Sequence, residues 1–167
     1  IGKKKYAEVE EEMKKAVAPM HEICEHLLDD IKRDSESFDL YMQALTLPKE
    51  TEEEKKARTK AMQDGLKAAV AVPLSVAKRA YEVMPYAEAM VTKGNKTAVT
   101  DALVATMMAR TAVLGALFNV KINLESIKDE AFVEETAKEA AVIEKNALAY
   151  EKKILAQAGV SRSAVEE

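Results

Sequence analysis

The stretch from Ala102 to Ile122 limits the fold of this 167-residue chain more than any other part of its sequence. Its apolar residues occupy nearly the whole circumference of a helix, with Arg110, Asn119 and Lys121 as interruptions. A helix that is apolar on all sides belongs in the interior of a fold. The interruptions and the richness in Ala and Thr favour a buried helix of a soluble protein over a membrane span, so no membrane partner is expected.

The rest of the chain also shows helical patterns. Apolar residues recur at steps of three and four between Met13 and Ile31, and this pattern continues until Pro48 breaks it. Thr51 begins a capping box, and Asp129 is placed to cap a last helix. Five glycines and four prolines leave little sequence for loops. The chain is therefore predicted to be all-α, a helical bundle in which a central apolar helix is surrounded by the others.

Three prolines fall inside the predicted helices. Pro19 predicts a kink in the first helix, because proline removes a backbone donor and crowds the preceding turn. Pro73 and Pro85 interrupt the second helical stretch, which is then either one bent helix or two or three shorter segments. Asn95 or Thr97 is predicted to cap the helix that follows.

Composition excludes some classes of partner. The net charge of −4 leaves no basic excess to neutralise phosphates, so no nucleic-acid partner is expected. Cys24 is the one cysteine and has the neighbours of a helix core, which indicates a reducing compartment and a cytoplasmic location. His21 and His26 lie roughly 140° apart around a helix and cannot share a metal ion, so no metal site is expected.

A few polar side chains are candidates for chemistry, and each also has a simple structural interpretation. Asp34 lies among alternating charged and apolar residues and could be a surface charge or a local cap. Asp101 fits a first-turn carboxylate stabilised by the helix dipole. Asp101 and Asn119 are about 27 Å apart along one helix, so they cannot serve one small site within a single chain. The run Lys3 to Lys5 is either a solvated terminus or a binding element for an anionic ligand.

Six strings, which follow one another along residues 2–132, together resemble the cyclodeaminase family. They are GKKKY at 2–6, DSESFDLYMQALTLPKETEEEKKAR at 34–58, AVPL at 71–74, KGN at 93–95, TD at 100–101 and FNVKINLESIKDEAF at 118–132. The family comprises the cyclodeaminase domain of formiminotransferase-cyclodeaminase and the stand-alone bacterial methenyltetrahydrofolate cyclohydrolases. Each string alone is weak, and their common order makes the resemblance specific.

The resemblance implies an all-helical fold with a central helix, a homodimer as the working unit and a tetrahydrofolate derivative as substrate. It implies no further cofactor, and a formiminotransferase is a further candidate partner. The expected reaction converts 5-formiminotetrahydrofolate to 5,10-methenyltetrahydrofolate and ammonia. Two alternatives stay open: hydrolysis of the methenyl bridge to 10-formyltetrahydrofolate, and a non-catalytic folate-binding or oligomerisation module.

The resemblance also implies roles for individual residues. Asp34 matches the aspartate of the family segment D-x-E-x-F before LPK, which implies that it is the catalytic acid/base. One carboxyl group can take a proton as N10 attacks the formimino carbon and return it as ammonia leaves. Other polar residues in the matched strings are interpreted as substrate-binding: Lys3, Lys4, Lys5, Tyr6, Asn95, Asp101, Asn119 and Asn123.

The sequence departs from the family pattern at its start. Family members carry an upstream helical segment with a Pro-Gly-Gly-Gly-Ser motif, which this sequence does not contain. A glycine-rich turn is a place where the backbone can approach a ligand closely. The expectation is therefore a single cyclodeaminase-like helical domain over residues 1–167 that lacks the glycine-rich segment.

Overall fold

The computed structural model of this chain describes residues 2–159, and within that range the chain is helical and contains no strand. The four long helices are α1 (Glu10–Leu45), α2 (Glu52–Lys93), α3 (Val99–Leu124) and α4 (Glu130–Gln157), and short 3-10 helices span Lys4–Val9 and Lys96–Ala98. The predicted all-α bundle is confirmed.

Two of the helices begin where the sequence predicts a cap. The Thr51 hydroxyl accepts a hydrogen bond from the Glu54 backbone N–H at 3.2 Å, and the Glu54 carboxylate accepts one from the Thr51 N–H at 2.9 Å. The Thr51 backbone N–H is the main cause that lowers the pKa of Glu54. Asp129 caps α4 through the Phe132 N–H at 3.1 Å. These bonds pair amides that the first turn of a helix leaves free.

Helix α2 runs without a break through Pro73 and Pro85, so the single-helix alternative is the observed one. A proline inside a helix leaves the carbonyl four residues earlier without its usual donor. For Pro73 that carbonyl belongs to Ala69, and the Asn123 side-chain amide of α3 donates to it at 2.9 Å. A tertiary contact therefore supplies the hydrogen bond that the proline removed.

The hydrophobic core lies where α2 meets α3 and α4. Val70 and Met84 of α2, Leu117 and Val120 of α3, and Ile154 of α4 are fully buried in one cluster. Burying each side chain of this size contributes about 1.5–3 kcal/mol. Within the described residues α2 packs against each of the other three helices, while α1 packs chiefly on α2.

The face that α1 presents to α2 is small and partly polar. Its buried residues recur every seven positions: Ala16, Ile23, Asp30, Ser37 and Ala44. Asp30 is 1% exposed and forms ion pairs with Arg33 and with Arg79 of α2. Gly65 of α2 allows close contact, because an added Cβ would lie 2.9 Å from the Tyr41 Cα.

Broad apolar faces of α1 and α3 remain exposed within the single chain. On α3 the exposed residues include Met108 at 67%, Phe118 at 63% and Ile122 at 58%. The predicted apolar helix therefore packs on α2 and α4 with one side and leaves the other side open, because α1 lies on α2 instead of over α3. By length and composition alone, the described residues include one helix, Lys96–Leu124, that is apolar enough to cross a membrane, and a third of its most apolar window is buried.

Candidate functional site

A cavity of about 480 Å³ lies between the N-terminal segment, the end of α2 and the start of α3. Its volume falls in the range of about 300–1,000 Å³ that is typical of small-molecule sites. The apolar part of its lining consists of Val9, Met13, Val17, Met90, Ala98 and Ala102. The polar part consists of Lys3, Tyr6, Glu10, Lys93, Asn95 and Asp101, and Gly94 completes the wall.

A short hydrogen-bond chain holds the N-terminal segment against the turn between α2 and α3. The Tyr6 hydroxyl donates to the Asn95 side-chain oxygen at 3.0 Å and accepts from the Lys96 N–H at 3.3 Å. The same Asn95 oxygen caps the 3-10 turn by accepting from the Thr97 N–H at 3.2 Å. Asn95, one of the two predicted caps, therefore caps the short 3-10 turn and not α3, which begins after Ala98 without a side-chain cap, and it also fixes one wall of the cavity.

The turn itself depends on Gly94. A Cβ added to Gly94 would lie 2.3 Å from the Met90 carbonyl oxygen, a distance that no side chain tolerates. The adjacent Lys93 ammonium is held by both carboxylate oxygens of Glu12 on α1, at 2.6 and 2.9 Å. The first turns of α1 and the last turn of α2 are thereby joined across the cavity.

The charged groups of the lining differ in whether they already have partners. Glu10 accepts from Lys14, and this hydrogen bond, followed by one from the Gly2 backbone N–H, lowers the pKa of its carboxyl. Lys93 is neutralised by Glu12. Asp101 and Lys3 form no side-chain hydrogen bond or ion pair with any residue in the range 2–159. Among the described residues, the cavity therefore offers the Asp101 carboxylate and the Lys3 ammonium to a ligand.

Four of the eight predicted substrate-binding residues line this cavity, namely Lys3, Tyr6, Asn95 and Asp101. The other four lie elsewhere. Lys4 is exposed, and the Lys5 ammonium lies 5.6 Å from the centre of the Tyr6 ring. Asn119 donates to the Gly115 carbonyl on the exposed side of α3, and Asn123 donates to Ala69.

Asp34 lies far from the cavity within one chain. It follows Met13 by 21 residues on α1, which corresponds to about 31 Å along the helix axis. Its side chain is exposed, and its neighbours on the adjoining turns, Ile31 and Phe38, are 67% and 56% exposed. The predicted acid/base therefore stands at the edge of an uncovered apolar face.

Sequence reasoning missed several lining residues. Glu10 and Lys93 lie in charged stretches that look like solvated surface, and Met13 and Val17 look like ordinary core positions of α1. Met90 lies one turn before the end of α2. The sequence feature that could have identified these lining residues is their nearness to the matched strings GKKKY and KGN.

A second cavity of about 590 Å³ lies between α1 and α2 where Pro19 faces Pro85. Its charged lining residues include Glu22, His26 and Arg79, and it contains none of the predicted site residues. In the part of the chain that the structure describes, no group of three His, Cys, Asp or Glu side chains is arranged to hold a metal ion.

Comparison with known proteins supplies independent information on this architecture. The family model described as formiminotransferase-cyclodeaminase matches residues 1–142. A methenyltetrahydrofolate cyclohydrolase from Methylorubrum extorquens is 41% identical over 139 residues, which cover 83% of this chain and 67% of that protein. A formimidoyltransferase-cyclodeaminase from Gallus gallus is 38% identical over 136 residues, which cover 81% of this chain and 25% of that protein.

A similar arrangement of helices has been solved. The crystal structure of formiminotetrahydrofolate cyclodeaminase from Thermotoga maritima superposes with a TM-score of 0.82 at 28% identity, covering 93% of this chain and 74% of that one. The chain thus spans about a quarter of the length of the avian relative and about two thirds of the length of the bacterial cyclohydrolase.

Proposed function

This chain belongs to the formiminotransferase-cyclodeaminase family, and on that premise we propose that it converts 5-formiminotetrahydrofolate to 5,10-methenyltetrahydrofolate and ammonia. The observation that carries the proposal is the match of its fold, over 93% of the chain, to a formiminotetrahydrofolate cyclodeaminase. The cavity adds support, because it gathers Lys3, Tyr6, Asn95 and Asp101 from two distant parts of the sequence, residues 3–6 and 95–101.

Asp34 is the proposed acid/base. In the first step N10 of the folate attacks the formimino carbon, a C–N bond forms, and a carboxylate accepts the N10 proton. In the second step the same carboxyl protonates the formimino nitrogen. The bond between that nitrogen and the carbon then breaks, and ammonia leaves. A carboxyl group can serve both steps when it lies within hydrogen-bond distance of the nitrogen atoms.

Hydrolysis of the methenyl bridge is the second candidate reaction. It is favoured by the 41% identity to a methenyltetrahydrofolate cyclohydrolase, compared with 38% to the avian formimidoyltransferase-cyclodeaminase and 28% to the Thermotoga maritima cyclodeaminase. In this reaction Asp34 activates a water molecule, which adds to the bridging carbon and opens the ring to 10-formyltetrahydrofolate. Both reactions begin with addition to the same carbon, so they use the same carboxyl.

A second copy of the chain is part of the proposal. Proton transfer needs contact at hydrogen-bond distance, and a carboxyl about 31 Å from Met13 cannot reach a folate held in the cavity of its own chain. In a twofold dimer each surface patch meets itself, and with the twofold axis perpendicular to α1 the two α1 helices cross antiparallel. A crossing near Cys24, midway between Met13 and Asp34, brings Asp34 of one copy to the cavity of the other.

The exposed surface supports such a partner. The chain exposes 10966 Å², against about 8,200 Å² for a globular monomer of its 18.4 kDa mass. The nine residues outside the described range can contribute at most about 1,400 Å² of the excess, which is the upper limit for a chain of that length. The remaining surplus exceeds the roughly 800 Å² that each partner buries in a standard interface. We propose that a second copy, and not lipid, covers the apolar face of α1.

Activity assays separate the candidate reactions. Ammonia release from 5-formiminotetrahydrofolate measures cyclodeamination, and loss of the methenyl absorbance measures hydrolysis. Asp34→Asn should abolish either activity while leaving the helical circular dichroism unchanged, because Asp34 is exposed. Asp29→Asn, on the opposite side of the same helix, is the matched control. An active Asp34→Asn enzyme would exclude the acid/base role, and a wild type that binds folate without turnover would favour the non-catalytic module.

Cross-linking tests the dimer. Cys24 is exposed and free, which also fits the proposed cytoplasmic location. In the crossing described above, the two Cys24 thiols lie near the twofold axis, so mild oxidation should give a disulfide-linked dimer. Cys24→Ser should remain dimeric in sedimentation and lose the cross-link. A monomeric wild type at assay concentration that is still active would exclude completion of the site by a second copy.

A further inference from the structure

We infer that Asp101 is the group that recognises the pterin ring of the folate, by accepting hydrogen bonds from the ring's N3–H and 2-amino group. This inference rests on the proposed function. It goes further by assigning one end of the substrate to one side chain and by fixing the direction in which the folate enters the cavity.

The first observation is the state of the carboxylates around the cavity. Glu10 is engaged by Lys14 and by the Gly2 backbone N–H, and Glu12 is engaged by Lys93. Asp101 has no side-chain hydrogen bond or ion pair within residues 2–159 although it lines the same cavity. It is therefore the carboxylate of this lining whose acceptor capacity remains available to a ligand.

The second observation is the environment of that carboxylate. Asp101 is exposed and lines the cavity together with the small side chains of Ala98 and Ala102 and with Met13 and Met90. The turn that precedes α3 is fixed by the Tyr6–Asn95 hydrogen bond. A carboxylate without a partner among the described residues, in a cavity whose lining is largely apolar, favours a ligand that carries adjacent N–H donors on an otherwise apolar ring.

Only one end of a folate, the pterin ring, has the chemistry that this carboxylate would bind. The pterin ring is flat and presents two adjacent N–H donors, which a carboxylate can accept as a pair. The glutamate end is anionic and would meet repulsion from Asp101 and Glu10. Lys3, which is free of ion pairs within the described residues, offers a counter-charge for that end. The ring is thus placed at Asp101, and the tail is directed toward Lys3.

Binding of substrate fragments tests the assignment. Asp101→Asn replaces one acceptor oxygen by a donor amide at constant size, and a lost hydrogen bond to a charged group weakens binding roughly 10- to 100-fold. We expect that loss for tetrahydrofolate and for 6-methyltetrahydropterin, which has no tail, and no change for p-aminobenzoylglutamate, which has no ring. Asp64→Asn, on an exposed α2 carboxylate paired with Lys60, is the matched control and should change none of them.

Steady-state kinetics gives an independent readout. The variant should raise KM by the same factor and leave kcat within a few-fold, because ring binding contributes equally to ground and transition states. Asp101→Asn binding tetrahydrofolate as tightly as wild type, or losing p-aminobenzoylglutamate as much as the ring, would overturn the inference and leave the proposed function intact. Wild-type protein that binds no reduced folate would overturn both.

Discussion

The hydrogen bond between Asn123 and the Ala69 carbonyl should be a measurable part of the stability of this fold. Pro73 removes the backbone donor that the Ala69 carbonyl would otherwise have in α2. The Asn123 amide replaces it at 2.9 Å, from a different helix 54 residues away in sequence. Asn123→Ala removes the replacement and leaves the carbonyl of a buried residue without a protein donor.

The expected magnitude follows from the state of the carbonyl. A buried polar group that loses its partner costs about 1–3 kcal/mol. Ala69 is 7% exposed, and Asn123 is partly buried, so we expect the free energy of unfolding to fall by about 1–2 kcal/mol. Asn119→Ala is the matched control, because Asn119 donates to Gly115 on the exposed side of the same helix. Its effect should stay within about 0.5 kcal/mol.

A double-mutant cycle isolates the cause. Pro73→Ala restores an N–H that can donate to the Ala69 carbonyl within α2, so the Asn123 amide becomes redundant. In that background Asn123→Ala should cost less than in the wild type, with a coupling of roughly 0.5–1.5 kcal/mol. Urea unfolding followed by circular dichroism at 222 nm measures all four proteins. Equal effects of Asn123→Ala and Asn119→Ala, or additive effects in the cycle, would refute the reasoning.

Three further predictions concern other contacts. Asp30→Ala should destabilise the chain by about 1–3 kcal/mol in urea unfolding, because it removes the buried carboxylate that pairs with Arg79 of α2, whose side chain is 23% exposed. Gly65→Ala should destabilise, since its Cβ would contact α1 backbone at 2.9 Å, whereas Gly115→Ala, with nothing within 4 Å, should gain up to about 1 kcal/mol. Burial and its hydrogen bond to Glu88 raise the pKa of Tyr150 from 10.0 to about 12, so its contribution to stability is complete below pH 10 and is lost between pH 10 and 12. Phenolate absorbance at 295 nm, compared with Tyr150→Phe, checks this, and a midpoint near pH 10 in the folded protein would contradict it.

The sequence by itself determined the helices and most of their ends. Pro48 and the Thr51 capping box define the gap between α1 and α2, and Asp129 defines the start of α4. These signals are reliable because a cap or a proline acts on the amides of its own turn, whatever the rest of the chain does. Asn95 was recognised as a capping residue for the same local reason, although it caps the short 3-10 turn that precedes α3.

Tertiary structure decided how the faces of the helices are used. Periodicity tells which residues share a face of α1, but it does not tell that the buried line contains Asp30, because its partner Arg79 lies 49 residues away. In the same way, Pro73 on its own predicts a weakened helix. Only the tertiary structure shows that Asn123 supplies the missing hydrogen-bond donor. The separation of Asp34 from the cavity is also a tertiary fact, since it depends on α1 running as one helix away from the turn at Asn95. Burial, long-range pairing and distance are properties of the folded chain, and a local pattern carries no record of them.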